Sequence, residues 1–389
     1  MCDGAMGPSL WLFSQEPGKY GGAESVVNEV AKLLDSGNIG WKHAWVTRFS
    51  SKKCGRDGSP HFRALPLPAY VNSILAGIKW RNVFKRQAVG LVIGGSPTAG
   101  GIAYGAGLPY GIWMGTTLLN EYGRREVCKE FMAGNSSIAL NRAFLFMNRY
   151  LEKIVLLNSR FIITQSPFMA REVEREYSIP STLIDYIPYP VKVVGGKNRE
   201  WCSSGPRLLA VGRVDDRRKN FRLLLKAFSL IKEELRDSQL RIVGEVSAKS
   251  RIFDDYEYLL SEGAVRPLGV LSGEDLIREY EWANIFVLSP KQEGLGIVFL
   301  EAMAHGLPVV TTKCGGPEGI VIDGVNGYLV PKEDAVGFKL AVKKVWSSDS
   351  EYKRMCSKAR EYVIANHSHK RFVNLFLGKL KENLGISSP

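Results

Sequence analysis

Residues 285–311 read Ile285-Phe-Val-Leu-Ser-Pro-Lys-Gln-Glu-Gly-Leu-Gly-Ile-Val-Phe-Leu-Glu-Ala-Met-Ala-His-Gly-Leu-Pro-Val-Val-Thr311. The apolar run Ile285–Leu288 predicts a buried strand. A loop with two glycines follows, then a helix over Ile297–His305, a Gly-Leu turn and a second strand over Pro308–Thr311. Strand, loop, helix and strand at this spacing form one unit of a parallel sheet. Two carboxylates punctuate it. Glu293 lies in the loop, facing whatever sits over the helix start, or serving as an acid that satisfies the helix dipole. Glu301 lies about one turn inside the helix, within the otherwise apolar run Ile297–Met303, where an idle carboxylate is costly to bury.

The same alternation extends in both directions. Upstream, strands are expected at Ser9–Phe13, Lys42–Thr47, Val89–Ile93, Tyr110–Met114, Arg160–Thr164 and Leu183–Ile187. Helices are expected at Ala23–Leu34, Val71–Arg86, Ala139–Leu157 and Pro167–Tyr177. Pro188, Pro190, Gly195, Gly196, Gly205 and Pro206 then crowd into nineteen residues, a linker composition. Beyond it come strand Arg207–Val211, helix Asn220–Glu234, strand Gln239–Val243, helix Ser250–Glu262, strand Val265–Pro267 and helix Gly273–Trp282. Ala335–Trp346, Glu351–Asn366 and Lys370–Leu384 read as helices. The pattern predicts an α/β chain of two Rossmann-like, doubly wound domains facing a cleft. The expected bounds are 1–195, a linker over 196–206, 207–368, and a last helix in 369–389 packing back on the first domain.

The chain has 389 residues, 45% of them apolar and 23% charged, enough to bury large cores without disulfide staples. Six scattered cysteines show no zinc or redox spacing and read as reduced thiols of a reducing compartment. Met1–Pro8 lacks a basic start followed by an apolar run, which argues against a secretory leader. Gln87–Asn120 carries no charge, yet it holds nine glycines, Pro97 and Pro109. Buried strands around a helix explain it better than a membrane span. Net charge is +13. Lys79, Arg81, Lys85 and Arg86 cluster, with Trp80 and Phe84 among them at helical spacing. They make either a solvated helix face or a contact with an anionic membrane or phosphate-bearing acceptor. No nucleic-acid motif accompanies them.

Three more stretches are candidates for anion or ligand contact. Lys19-Tyr-Gly-Gly-Ala-Glu-Ser, after the first strand, has two glycines ahead of a helix start; it is an anion site or an ordinary turn. Val211-Gly-Arg-Val-Asp-Asp-Arg-Arg-Lys-Asn-Phe sets Arg213 past a strand end and Lys219 near a helix start. Two fixed cations there suit a diphosphate, or form a solvated basic turn. Cys314-Gly-Gly-Pro-Glu-Gly follows the next strand, where Gly315 and Gly316 allow close backbone approach or make a plain turn.

Taken in order, these motifs resemble those of the group 1 retaining glycosyltransferases with the GT-B fold. Glu293–Pro308 resembles that family's E-x7-E signature. Gly21-Gly22-Ala23-Glu24 resembles its glycine loop, and Gly212-Arg213 with Lys219-Asn220 its diphosphate-binding pair. Asp323-Gly-Val-Asn-Gly-Tyr-Leu-Val-Pro resembles its last turn and strand. The resemblance is strong over 205–335 and thinner over 1–195. It implies a nucleotide-diphosphate sugar donor, with Arg213 and Lys219 on the diphosphate and Glu301 on the ribose. It also implies Glu293 on hydroxyls of the transferred sugar. Leu295, Gly296 and Ile297 would meet sugar and phosphate oxygens through their backbone, with Gly21 and Gly22 also on the donor. Catalysis would rest on Glu293, Arg213 and Lys219, which stabilise charge on the leaving oxygen. Acceptors implied are a glycan, a lipid-linked sugar or another hydroxyl. No cofactor is expected. No two aspartates stand two residues apart, so the Asp-x-Asp metal motif of other transferases is missing and metal independence is expected.

Two departures stand out. Many members carry a histidine after the strand equivalent to Tyr110–Met114, where this chain has Gly115 and Thr116, with Thr116 able to supply a hydroxyl. Ile187-Pro-Tyr-Pro-Val also replaces a usual asparagine-glycine turn. The competing readings are a sugar-nucleotide epimerase of the same fold and a non-catalytic relative that binds nucleotide sugar or membrane. The expected location is cytoplasmic, with peripheral contact at the inner membrane face through Lys79, Arg81, Lys85 and Arg86 left open.

Overall fold

The apolar runs become strands of two parallel sheets, because a parallel strand is covered on both faces and its side chains are apolar throughout. The computed structural model describes residues 9–15, 22–47, 61–63, 69–84, 88–94, 99–115, 117, 138–193, 200–201 and 203–386. The chain divides into two units, one of Met1–Ile187 with Val373–Pro389, the other of Pro188–Phe372.

In the first unit the described elements are β1 (Ser9–Gln15), α1 (Gly22–Ser36), β2 (Trp41–Thr47), β3 (His61–Arg63), α2 (Ala69–Trp80), β4 (Ala88–Gly94), α3 (Gly100–Ala106), β5 (Tyr110–Met114), α4 (Ile138–Leu157), β6 (Phe161–Thr164), α5 (Pro167–Tyr177) and β7 (Ile184–Tyr186). Their sheet order is β3-β2-β1-β4-β5-β6-β7. Every pairing is parallel.

The uncharged, glycine-rich stretch is β4, α3 and β5, with α3 against α2. A Cβ on Gly105 would lie 2.3 Å from the carbonyl oxygen of Ile74, so only glycine lets the two helices come this close. No helix among the described residues is long and apolar enough to cross a membrane.

The second unit holds β8 (Arg207–Val211), α6 (Phe221–Glu234), β9 (Gln239–Val243), α7 (Glu257–Ser261), β10 (Val265–Gly269), α8 (Gly273–Trp282), β11 (Ile285–Leu288), α9 (Ile297–Ala304), β12 (Val309–Thr312), β13 (Gly327–Val330), α10 (Ala335–Val345) and α11 (Asp349–Asn366). The order β10-β9-β8-β11-β12-β13 is again all parallel. The order reverses beside β8, so the loops after β8 and β11 diverge there and leave a crevice at the carboxyl ends of the strands.

Three expectations need correcting. The helix expected over Val71–Arg86 ends at Trp80, continues as a 3-10 turn over Arg81–Val83, and is extended at Phe84. Trp80 and Phe84 are both buried, and Phe84 packs edge-on against Trp11 and Phe13. The aromatics among the bases therefore belong to the core. Lys79 and Arg81 are exposed, while Lys85 and Arg86 lie outside the described residues. The helix expected over Ser250–Glu262 shrinks to a 3-10 turn, Asp254–Tyr256, and α7.

The linker expected at 196–206 also differs, since the division falls at Ile187/Pro188. Residues just ahead of β8 are tied into the second unit. Trp201 Nε1 donates to Trp346 O at 3.2 Å, and Glu200 O accepts from Asn284 Nδ2 at 3.2 Å. The last helix, α12 (His369–Leu384), passes from Phe372 into the first unit at Val373. There Phe376 meets Trp113, with ring centroids 5.4 Å apart, and Lys379 Nζ pairs with Asp185 Oδ2 at 2.9 Å.

Candidate active site

The turn after β8 is held close to the turn after β9. Gly212 N donates to Val243 O at 2.9 Å and Val214 N to Glu245 O at 3.1 Å. A Cβ on Gly244, where φ is +150°, would stand 1.9 Å from Gly212 O. Arg213, past the strand end, extends an exposed guanidinium to Asp216 Oδ2 at 3.0 Å. Arg218 grips the same carboxylate with Nε at 3.1 Å and Nη2 at 2.8 Å. Burial works to raise the Asp216 carboxyl, but the hydrogen bonds and charge of Arg218, with Arg213 behind it, hold it below its ordinary range.

Lys219 follows, and its side chain is 18% exposed. Its ammonium pairs with the carboxylate of Glu293, which is equally sheltered. Two bonds brace the loops that bring the pair together. Ser289 Oγ donates to Asn220 O at 2.9 Å, and Lys291 N to Arg218 O at 2.7 Å.

The loop after β11 is clamped from its other side by the one after β12. Gly316 N donates to Glu293 O at 2.8 Å. A Cβ on Gly316 would come within 2.6 Å of the Gly294 carbonyl, so the two loops lie backbone on backbone. Glu318 fixes the second loop by accepting from Cys314 N at 3.1 Å and Gly315 N at 2.8 Å. Gly296 caps α9 at φ +80°, where a Cβ would strike Phe299. Leu295 and Gly296 are buried and Ile297 is half-buried. Gly296 brings no capping side chain; Phe299 N turns back to Gly296 O at 2.9 Å, and the N–H groups of Ile297 and Val298 lie at the positive end of the dipole.

Glu301 sits on α9 with Oε2 accepting from the hydroxyl of Tyr280 at 2.8 Å. Burial raises its carboxyl above the usual range, and the tyrosine hydrogen bond opposes that rise.

An open pocket of about 390 Å³ lies beside this array, lined by Arg213, Asp215, Asp216, Arg218, Glu245 and Ser247. Sequence reasoning passed over Asp215, Asp216, Glu245 and Tyr280. The adjacent aspartates inside a basic turn were the one available signal for the first two. Tyr280, twenty-one positions from Glu301, left none.

Arg213, Lys219, Glu293, Leu295, Gly296, Ile297 and Glu301 all belong to the second unit, at the carboxyl ends of β8 and β11. Gly22 and Gly115 belong to the first: Gly22 opens α1, and Gly115 follows β5, where its N–H meets Gly94 O at 3.0 Å. Gly21 and Thr116 lie outside the described residues. The neighbouring Thr117 is buried and donates to Glu176 Oε2 at 2.9 Å.

Two doubly wound parallel sheets, one carrying cations and a helix start at its reversal point, define an α/β protein of the kind that holds a phosphorylated ligand at that crevice. Residues 199–362 match the family model for glycosyl transferases group 1. The lipopolysaccharide core biosynthesis glycosyltransferase of Rhizobium meliloti is 29% identical over 176 residues, 45% of this chain and 49% of that protein. An O-antigen chain mannosyltransferase of Escherichia coli is 31% identical over 199 residues, covering 45% and 51%. The chain thus spans about half the length of these curated relatives.

Among solved structures, sucrose-phosphate synthase from Thermosynechococcus elongatus superposes with a TM-score of 0.71 at 19% identity, over 98% of this chain and 99% of that one. Anabaena HepE, solved in complex with UDP and glucose, gives 0.72 at 15%, over 97% and 100%. The group 1 glycosyl transferase match thus covers most of the second unit, and the two parallel sheets share the GT-B architecture of these solved structures.

Proposed function

We propose that the chain transfers a sugar, with retention of anomeric configuration and without a metal ion, from a nucleoside diphosphate sugar to a hydroxyl of a glycan or lipid-linked acceptor. The observation that carries this is the convergence of Lys219, Glu293 and the start of α9 at one point. In the reaction the bond from the anomeric carbon to the diphosphate oxygen breaks. The acceptor oxygen bonds that carbon, and the acceptor's proton ends on the released nucleoside diphosphate. Negative charge grows on the leaving oxygen. Arg213, Lys219 and the free N–H groups of Leu295, Gly296 and Ile297 stabilise it, which elsewhere is the work of a divalent ion. Glu293 takes hydroxyls of the sugar and Glu301 those of the ribose. The donor role of Gly21 and Gly22 and the acceptor role of Gly115 and Thr116 enter the proposal only as the family resemblance implies them. UDP in the HepE structure supports uridine nucleotides as the first donors to try.

The test is transfer by purified protein from a panel of nucleotide sugars in EDTA, with the product's anomeric configuration read by NMR. R213A and K219A should each slow transfer about 100-fold or more. Unchanged turnover in both, or release of an epimerised sugar without transfer, contradicts the reading.

A cytoplasmic location with peripheral membrane contact is part of the proposal. Lys79 and Arg81 stand exposed beside Ile78 and Val83, which are 56% and 51% exposed. Bases flanking exposed apolar side chains suit an anionic bilayer surface. Sedimentation with phosphatidylglycerol vesicles should show binding that weakens with salt; salt-insensitive or absent binding counts against it.

A further inference from the structure

Tyr280 stands outside the sequence motifs, yet it makes the one side-chain hydrogen bond to Glu301 among the described residues. It comes from the last turn of α8, and its ring is 2% exposed. The ring stacks on His305 with centroids 5.1 Å apart and planes 13° apart, and it leans on Phe286 of β11 at 6.2 Å. Phe286 is itself held edge-on by Phe299 of α9. A ring wedged between a strand and the end of α9 cannot swing, so its hydroxyl is fixed in space.

We propose that Tyr280 is the positioning residue for Glu301. Its hydroxyl occupies Oε2 and turns the carboxylate so that Oε1 is presented to the ribose hydroxyls of a nucleoside diphosphate. Oε1 fits that part, since among the described residues it has no hydrogen bond and Glu301 is half-buried, not sealed in the core. The inference rests on the donor-binding reading above and adds to it the residue that aims the carboxylate.

Charge supports the geometry. Burial drives the Glu301 carboxyl toward its neutral form, and the Tyr280 hydrogen bond opposes that. The phenol is itself raised well above its ordinary range by burial and by Glu301, so it remains a donor at every working pH. The titratable groups bearing on Glu301 among the described residues are Tyr280 of α8 and, across the Tyr280 ring, His305 at the end of α9.

The test uses the intact chain and whichever of UDP, GDP and ADP raises its melting temperature most, titrated calorimetrically against pH beside its 2′,3′-dideoxy analogue. Removing one oxygen in Y280F should leave binding roughly tenfold weaker, with the acid limb moved upward so that the loss grows as pH falls. The penalty for losing the ribose hydroxyls should also shrink in Y280F, because the mutation and the analogue delete one linked interaction. H305A, which frees the ring, should show a weaker form of the same signature and serves if Y280F does not fold. A uniform loss at all pH, equal for both nucleotides, or no loss at all, overturns the proposal. No binding by wild type, or wild-type affinity in E301Q, instead overturns the donor-binding reading beneath it.

Discussion

Lys219 and Glu293, seventy-four positions apart, are ion-paired at the mouth of the second unit's crevice. Each is mostly sheltered from water, so the attraction between them is only partly screened. A diphosphate arriving at the start of α9 has to compete with Glu293 for the Lys219 ammonium. Once it does, the carboxylate is released to accept sugar hydroxyls. One contact therefore links anion binding to sugar recognition.

The first prediction follows directly. E293Q keeps the shape and removes the competitor. Nucleoside diphosphate should bind roughly three- to tenfold tighter by calorimetry, while the transfer rate falls about 100-fold. Equal or weaker nucleotide binding would contradict the competition.

Gly316 tests the clamp between the two loops. A Cβ there meets the Gly294 carbonyl at 2.6 Å, where backbone cannot give way cheaply. G316A should cost about 1–3 kcal/mol in unfolding free energy, as overpacking does. Hydrogen exchange should quicken at Gly294–Ile297, with weaker nucleotide binding. A variant as stable and protected as wild type would show that the loops are independent.

Glu301 sets function against stability. Its carboxyl is raised in the fold, so its favourable contribution is complete at low pH and is lost as pH rises through the folded value. At neutral pH the buried charge is a burden that E301Q removes while leaving Tyr280 an acceptor. The melting temperature of E301Q should rise by about 2 °C at neutral pH, with the gain vanishing below about pH 4. Nucleotide binding should be lost. A lower melting temperature at neutral pH would mean that the charge is compensated.

His367 gives the opposite sign. Burial lowers its imidazole, with Arg371 adding to that and the Tyr189 carbonyl opposing it. Its Nδ1 lies 2.8 Å from Tyr189 O, and Nε2 has no hydrogen bond among the described residues. Neutral in the fold, it contributes stability that is whole above the unfolded value of about 6.5 and falls away as pH drops below it. The melting temperature should decline on acidification through that range, and H367N should flatten the slope while lowering stability at neutral pH. An unaltered slope would assign the decline to other groups.

Much of this architecture is legible in sequence, for a physical reason. A parallel strand buried on both faces is a short apolar run between turn residues, and so Tyr110–Met114, Arg207–Val211, Gln239–Val243 and Ile285–Leu288 stand at the bounds their composition predicts. Helices with sharp punctuation behave likewise, as Pro167–Tyr177 and Gly273–Trp282 do. What escapes lacks that signal. β3 is three residues long, and α3, expected between Val89–Ile93 and Tyr110–Met114 only without bounds, carries three glycines in seven. Among the site residues, Glu293 and Glu301 are visible because they stand beside a glycine or inside an apolar run, and Lys219 because it ends a charged turn just ahead of a helix start. Their partners are not: Tyr280 reads as one more aromatic on a helix face, and the grip of Arg213 and Arg218 on Asp216 depends on a turn geometry that no spacing rule announces.

The central claim is that a nucleoside diphosphate is held by Arg213, Lys219 and the start of α9. Calorimetric titration of the intact chain with UDP, GDP and ADP in EDTA tests it most directly, with wild type, R213A and K219A side by side. The account predicts that at least one of the three binds wild type without metal and binds each variant about 10- to 100-fold more weakly. Binding of none of them, or equal affinity in all three proteins, would contradict it.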